Sequence, residues 1–429
     1  MVTGDTTRQP PPQPAPQDES PSSWRTRLSA LGPGLLMASA AIGGSHLVSS
    51  TQAGALYGWQ LVGLLLLVNL MKYPFFRFGP QYTVEAGHSL VEGYARKGGV
   101  YLWVFFALCA VSSVISTAGV GLLCASILAY VLPWQISVPW LATAVMLSVW
   151  AILLAGRYRA LDALTKVIMI TLAVGTVVTT VLAFTKGAQA DPGFVSPSPW
   201  SWASLPFLIA LMGWMPAPIE ISALNSLWIS AKQRLVRTSP RDVLFDFNVG
   251  YAASAILALF FLAMGALVQH GTGVEVATQG GAYITQLIDM YGSTIGDWVA
   301  PIVALIAFAC MYGTTITVVD GYARASAESV RLLRGAPEMT RPALIVWTSG
   351  IALVGLLIII LMSAQLATML RFAMISAFLT APVFAWLNFT LVRDREDLSP
   401  VLRWLSYAGL VFLAGFTLLF LAAEAGIVG

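Results

Sequence analysis

Charged residues are scarce in this sequence: Asp, Glu, Lys and Arg make up only 10% of its 429 residues, against about 25% in a typical soluble domain. Hydrophobic residues make up 57%. A soluble fold is therefore excluded, and the composition predicts a helical protein that crosses a membrane many times. The net charge of +3 is too small to indicate a nucleic-acid partner.

Cysteine and histidine are also rare, with three of each. Cys109, Cys124 and Cys310 lie inside apolar runs, which predicts small buried side chains rather than a disulfide framework or a metal cluster. The sequence shows no arrangement of nucleophile, base and orienting group of the kind that enzymes use. We therefore expect no catalytic residue, no enzymatic activity and no cofactor.

The first 23 residues contain no apolar run and are rich in proline and glutamine. This composition predicts a disordered cytoplasmic tail without a cleavable signal peptide.

Beyond this tail, the apolar runs predict about eleven membrane crossings of roughly 20 residues each. They centre on residues 32–57, 59–78, 101–132, 138–155, 163–185, 205–229, 245–268, 298–319, 344–362, 369–391 and 402–425. Basic residues cluster in alternate loops, whereas residues 133–137 contain none and residues 186–201 contain one. The positive-inside rule then predicts a cytoplasmic N-terminus and an external C-terminus, in the plasma (inner) membrane of a prokaryote.

Two of the predicted spans are interrupted near their middle. The first contains Gly43-Gly44-Ser45-His46 and the sixth contains Met215-Pro216-Ala217-Pro218. Glycine weakens a helix by about 1 kcal/mol relative to alanine, and proline removes a backbone donor. Because spans one to five and six to ten have opposite orientations, each half opens with a broken helix. This pattern predicts an inverted-repeat transporter with its binding site near the membrane midplane. The predicted parts are the tail (1–23), the first repeat (24–200), the second repeat (201–396) and an additional helix (397–429).

Four short motifs occur in this order along the chain: Gly32-Pro33-Gly34, Gln52-Ala53-Gly54, Met215-Pro216 and Gly313 to Thr317. In these motifs the chain resembles the Nramp family of divalent metal transporters. The resemblance implies an all-α membrane protein of the LeuT type, with a 5+5 inverted repeat and broken helices 1 and 6. It also implies secondary active transport by alternating access.

The sequence departs from the family where the metal should bind. The Asp-Pro-Gly-Asn of Nramp metal transporters falls on Gly43 to His46, and their Met-Pro-His falls on Met215 to Ala217. A second family histidine falls on Ser222, and the acidic proton-pathway positions fall on Ala110 and Ser113. The resemblance therefore implies the fold without the usual substrate.

Hydrogen-bond donors dominate what remains at the breaks. Gly43 and Gly44 let an oxyanion approach backbone N–H groups, while Ser45, His46 and Ser49 add side-chain donors. Together with Met215, Pro216 and Ala217, these are the predicted substrate-binding residues. We expect a small inorganic anion as substrate, bicarbonate first, with symport of Na⁺ or H⁺ as the form of coupling.

Several alternatives stay open. In the simplest interpretation Glu220 lies in the first turn of a helix and complements its dipole. If its side chain turned toward the break, it would restore a carboxylate there and favour a Mg²⁺ or Mn²⁺ transporter. His46 could instead be satisfied by a backbone carbonyl, and Gly43-Gly44 could be a close packing contact. A membrane sensor without transport is a third reading.

Glu220, Asp320 and Thr317 are the candidate coupling-ion or gating residues, and Arg371 is expected near the outer boundary. The expected partners are the ion and membrane lipid. The oligomeric state is left open, with a monomer as the simplest case.

Overall fold

The computed structural model describes residues 32, 34, 37, 38, 41–156, 158–233, 239–277 and 280–428. These residues form helices and connecting segments, and no strand occurs among them. The predicted tail, residues 1–23, lies outside the described residues.

A π-helical turn, Ser45–Ser50, opens the first described helical stretch. The α-helices that follow are α1 (Thr51–Tyr57), α2 (Val62–Ala86), α3 (Leu90–Lys97), α4 (Gly99–Val131), α5 (Val138–Ala155), α6 (Tyr158–Lys186), α7 (Leu205–Trp214), α8 (Ile221–Gln233), α9 (Pro240–Val268), α10 (Gly280–Ile295), α11 (Ala300–Leu333), α12 (Arg341–Met362), α13 (Leu366–Thr390) and α14 (Pro400–Glu424). Short 3₁₀ turns lie at Gly58–Leu61, Trp202–Ser204 and Asp297–Val299.

Each of the eleven predicted spans overlaps one or more of these helices. Within the described residues, eight helical segments are long and apolar enough to cross a membrane, and two shorter apolar helices, Ile170–Lys186 and Trp202–Trp214, accompany them. The protein is therefore an all-α integral membrane protein.

The first break is shorter than the sequence predicts. The chain bends at Ile42 and Gly43, but Gly44 already has right-handed helical dihedral angles and the π-helix begins at Ser45. The expectation of a non-helical segment over residues 43–46 therefore holds for Gly43 alone. Side chains explain the difference, because the hydroxyls of Ser50 and Thr51 donate to carbonyls five residues earlier, at 3.2 Å each, and so support the wide π turn.

The second break agrees with the prediction. Helix α7 ends at Trp214, α8 begins at Ile221, and the six residues between them are not helical. Pro216 and Pro218 cannot donate backbone hydrogen bonds, so the helix cannot continue through them.

Glycines bring the broken helices against their neighbours. A Cβ added at Gly54 in α1 would lie 1.9 Å from the carbonyl oxygen of Leu262 in α9, and one added at Gly265 in α9 would lie 2.1 Å from that of Thr51. In α7, a Cβ at Gly213 would lie 1.9 Å from the carbonyl oxygen of Met374 in α13. These contacts place backbone directly on backbone, as small residues do between membrane helices.

Candidate functional site

The two breaks line one small cavity, called here the central cavity. Its volume is about 30 Å³, and because one water needs about 10–15 Å³, it has room for a small ion. Its walls come from both breaks and from helices α4 and α11. The lining residues are Ala41, Gly44, Ser45, Ser116, Val120, Trp214, Ala217, Pro218, Ile221, Thr314, Val318 and Tyr322.

Three of the predicted substrate-binding residues, Gly44, Ser45 and Ala217, lie in this lining. Gly43 lies against its wall, since a Cβ there would be 3.0 Å from Oγ1 of Thr314. Met215 is buried but does not line the cavity, and neither does Pro216.

The sequence predicted that His46 donates to the substrate, but its side chain does not line the central cavity. Its Nε2 lies 2.9 Å from the carbonyl oxygen of Ser254 in α9, and its Nδ1 lies 2.7 Å from Oγ of Ser45. A proton on Nε2 donates to the carbonyl of Ser254. The single hydroxyl hydrogen of Ser45 can go either to Nδ1 or to the carbonyl oxygen of Ala41, and Nδ1 also lies 3.2 Å from that oxygen. The imidazole thus joins the first broken helix to α9, which matches the alternative of a histidine held by a backbone carbonyl.

Hydroxyl groups provide most of the polarity of the cavity wall. Oγ of Ser45 also lies 2.5 Å from the carbonyl oxygen of Ala41, and Oγ1 of Thr314 donates to the carbonyl of Cys310 at 3.1 Å. These hydrogens can rotate toward a bound anion only by giving up internal bonds. Trp214 is different: its indole Nε1–H is buried, has no acceptor within the described residues, and belongs to a side chain of the cavity wall.

Lys72 contacts the second break from another helix, and it was not among the residues predicted from the sequence. It is fully buried in α2. Its Nζ donates to the carbonyl oxygens of Met212 at 2.6 Å, Gly213 at 2.9 Å and Ala217 at 3.3 Å. An ammonium has three N–H donors and a neutral amine has two, so the three acceptors match the charged form. A lysine inside an apolar span is the signal that could have revealed this residue.

Glu220 stands one side chain behind the cavity. Its Oε1 accepts a hydrogen bond of 3.0 Å from the hydroxyl of Tyr322, a lining residue. Its buried Oε2 has no hydrogen-bond partner within the described residues. The carboxylate therefore does not face the central cavity directly, although only Tyr322 separates the two.

The other two coupling candidates lie outside the cavity lining. Asp320 forms an ion pair with Arg324, with Nε 2.8 Å from Oδ2, and the hydroxyl of Thr317 donates to the carbonyl of Gly313 at 2.9 Å. Both interactions are local to α11.

Ser49 lies in a second pocket, called here the Arg371 pocket, of about 50 Å³. Arg371 is exposed and lies five residues after the start of α13, near the N-terminal end of that helix. The lining residues are Val48, Ser49, Gln52, Phe207, Ala210, Leu211, Tyr283, Leu366, Ala367, Leu370, Arg371 and Met374. Leu211 belongs to α7, which ends at the central cavity, so the two spaces share that helix.

Residues 34–423 match the profile of the family described as Nramp, natural resistance-associated macrophage protein-like. The chain belongs to the Nramp family. It is 54% identical over 409 residues to the uncharacterized protein PM0681 of Pasteurella multocida, and the match covers 94% of each chain. The chain is also 20% identical over 305 residues to the divalent metal cation transporter MntH of Latilactobacillus sakei. That match covers 66% of this chain and 63% of that protein.

Solved structures place this Nramp chain in the LeuT-type fold. A mutant of the manganese transporter of Eremococcus coleocola superposes with a TM-score of 0.73 at 14% identity, covering 96% of this chain and 90% of that one. MhsT in complex with L-phenylalanine superposes with a TM-score of 0.60 at 14% identity, covering 90% and 98%. Broken helices 1 and 6 of an inverted repeat, predicted from the sequence, are thus confirmed.

Proposed function

We propose that this Nramp-family transporter carries a small monovalent oxyanion, with bicarbonate the first candidate, and that the central cavity binds it during alternating access. The observation that carries the proposal is the buried Nζ of Lys72, which donates to the carbonyls that end α7 and to that of Ala217, a residue of the cavity wall. These three acceptors match an ammonium.

This ammonium disfavours a divalent cation beside it. Two unit charges 4 Å apart repel by about 4 kcal/mol at an effective dielectric constant of about 20, and a second charge on the ion doubles that cost. The carbonyl oxygens at the end of α7, which are suitable ligands for hard cations, already bind Lys72.

The donor set of the cavity points the same way. Among the residues that the structure describes, the cavity lining includes no carboxylate, imidazole or thiolate, the ligands that transition metals prefer. The indole N–H of Trp214, which has no acceptor within the described residues, is suited to an anionic oxygen. The hydroxyls of Ser45, Ser116 and Tyr322 become further donors only when they give up their internal hydrogen bonds. We infer that Ser45 and Trp214 contact the substrate, with Gly43 and Gly44 providing space and His46 fixing Ser45 from behind.

Arg371 supports anion transport from the side where its pocket opens. Its guanidinium lines the Arg371 pocket and is exposed, so it can attract an anion before the central site opens. The orientation that places this end of α13 outside, and the location in a prokaryotic inner membrane, follow from the positive-inside rule and belong to the proposal. Coupling to Na⁺ or H⁺ also belongs to it, with Glu220 the best-placed coupling residue.

A divalent metal ion is the second candidate, and one observation favours it. Oε2 of Glu220 is buried without a partner, and rotation of Tyr322 would open the carboxylate to the cavity. The name of the Latilactobacillus sakei relative, a divalent metal cation transporter, agrees with this alternative.

Uptake by purified protein in liposomes separates the two candidates. A trapped pH dye distinguishes bicarbonate from dissolved CO₂, because bicarbonate entry raises internal pH whereas CO₂ diffusion lowers it. We expect protein-dependent alkalinisation when bicarbonate enters alone or with Na⁺, and no saturable uptake of Mn²⁺ or Mg²⁺ in the same vesicles. Because co-entry of one H⁺ would cancel the alkalinisation, uptake of labelled carbon is measured in parallel. Saturable Mn²⁺ uptake that Glu220→Gln abolishes would instead support the metal candidate.

A further inference from the structure

The carbonyl end of α7 is an unusual place for a lysine. Lys72 is fully buried, and its Nζ lies within 3.3 Å of the carbonyl oxygens of Met212, Gly213 and Ala217. All three acceptors belong to the end of α7 or to the break that follows it, whereas Lys72 belongs to α2. The contact therefore joins two elements that are more than a hundred residues apart in sequence.

The break itself creates this group of acceptors. The last carbonyls of any helix lack intrahelical donors, and here the chain leaves the helix at Met215 and then meets Pro216 and Pro218, which have no N–H to offer. Aligned carbonyls at a helix C-terminus carry partial negative charge and favour a cation. In a membrane interior without water they need a donor from within the protein.

Three carbonyl oxygens gathered around one point form the kind of oxygen cage that binds a bare monovalent cation as well as an ammonium. The chain supplies the ammonium covalently, through the side chain of α2. No carboxylate lies within ion-pair distance of Nζ among the described residues, so its direct contacts are backbone carbonyls, while Glu220 acts on the charge only from a longer distance.

We propose that the end of α7 is a monovalent-cation site that Lys72 fills permanently, so that the wild-type protein needs no free cation there. Removal of the side chain then leaves a vacant site of the right chemistry for Na⁺ or for a small alkylammonium ion such as methylammonium. The proposal concerns cation binding only and stands or falls independently of the substrate.

Thermal unfolding of purified protein in detergent tests it without any transport assay. Wild type, Lys72→Ala and Lys72→Met are compared in NaCl, methylammonium chloride and choline chloride at equal ionic strength. Choline is too large for the vacated space and serves as the neutral reference salt. Lys97→Ala is the matched control, because Lys97 donates to one carbonyl, that of Thr390, and is exposed.

We expect the melting temperature of wild type and of Lys97→Ala to be the same in all three salts. Lys72→Ala should melt at a lower temperature in choline chloride and recover by several degrees, in a saturable manner, in methylammonium chloride or NaCl. Lys72→Met should be destabilised without recovery, since its thioether occupies the space and is not a cation.

Two results would overturn the proposal. One is Lys72→Ala protein that melts at the same temperature in every salt. The other is Lys72→Ala protein that aggregates even when it is expressed and purified with methylammonium, while Lys72→Arg folds, because the site then accepts no free cation.

Discussion

The hydroxyl of Tyr322 donates a 3.0 Å hydrogen bond to Oε1 of Glu220, which places a buried carboxylate one side chain away from the central cavity. Tyr322→Phe removes the hydrogen bond that this hydroxyl donates to Oε1 and leaves the buried carboxylate more poorly solvated. We expect a loss of about 1–3 kcal/mol in unfolding free energy, the usual cost of an unsatisfied buried polar group.

Denaturant or thermal unfolding in detergent measures this change. Tyr312→Phe is the matched control, because its hydroxyl bonds to Ser148 in a half-buried position and should cost less. Equal losses of unfolding free energy in the two variants would show that the contact with Glu220 stabilises the protein no more than the contact with Ser148 does.

His46 is expected to act on stability more than on substrate affinity. His46→Ala removes the link between the first broken helix and the carbonyl of Ser254, leaving that buried carbonyl without this donor. We expect a loss of about 1–3 kcal/mol in unfolding free energy with little change in KM per folded molecule. The control is His270→Ala, whose ring has one backbone contact, to Ala55, in a partly buried position. A normal melting temperature combined with a tenfold rise in KM would assign His46 to the substrate instead.

Gly44 is expected to be intolerant of even one methyl group. A Cβ there would lie 2.6 Å from Cζ3 of Trp214, so Gly44→Ala must displace the indole that lines the central cavity. We expect uptake to fall at least severalfold while the protein still reaches the membrane. Gly63→Ala is the control, since nothing lies within 4 Å of its added Cβ. Uptake unchanged in Gly44→Ala would mean that Trp214 moves freely and does not shape the site.

The sequence predicted the breaks better than it predicted the groups around them. Gly43, Pro216 and Pro218 act locally on the backbone, so their effect on a helix could be inferred from the chain alone. The direction of His46 depends on the carbonyl of Ser254, which only the packing of α9 brings near. Lys72 was overlooked because its acceptors lie about 140 residues later, at the end of α7. The rule that an ionisable residue within a span is functional by default could have singled it out.

The extent of the first break was also beyond sequence reasoning. A Gly-Gly pair predicts disruption, but the π-helical turn from Ser45 to Ser50 is supported by hydroxyl contacts and by the hydroxyl of Tyr283, which donates to the carbonyl of Leu47 at 2.8 Å. Tyr283 comes from α10, far away in the sequence.

Arg371 is expected to set the affinity for external anion. Arg371→Gln removes the exposed positive charge of the Arg371 pocket, and loss of electrostatic attraction should raise KM severalfold, most clearly at low salt. Arg371→Lys should retain most of the affinity. Lys186→Gln removes an exposed charge outside both pockets and should have no effect. A KM that is the same for all three variants would exclude Arg371 from the pathway.

The central claim, that an anion binds beside the first break, is tested most directly by placing a negative charge at Gly43. An added Cβ would lie 3.0 Å from Oγ1 of Thr314, so some crowding is expected from any side chain, and Gly43→Asn serves as the uncharged control of equal size. Like charges in a poorly screened site repel by several kcal/mol. Bicarbonate-driven alkalinisation of proteoliposomes is therefore expected to persist in Gly43→Asn and to vanish in Gly43→Asp. Undiminished bicarbonate uptake by Gly43→Asp, or Mn²⁺ uptake by the wild type, would contradict the account.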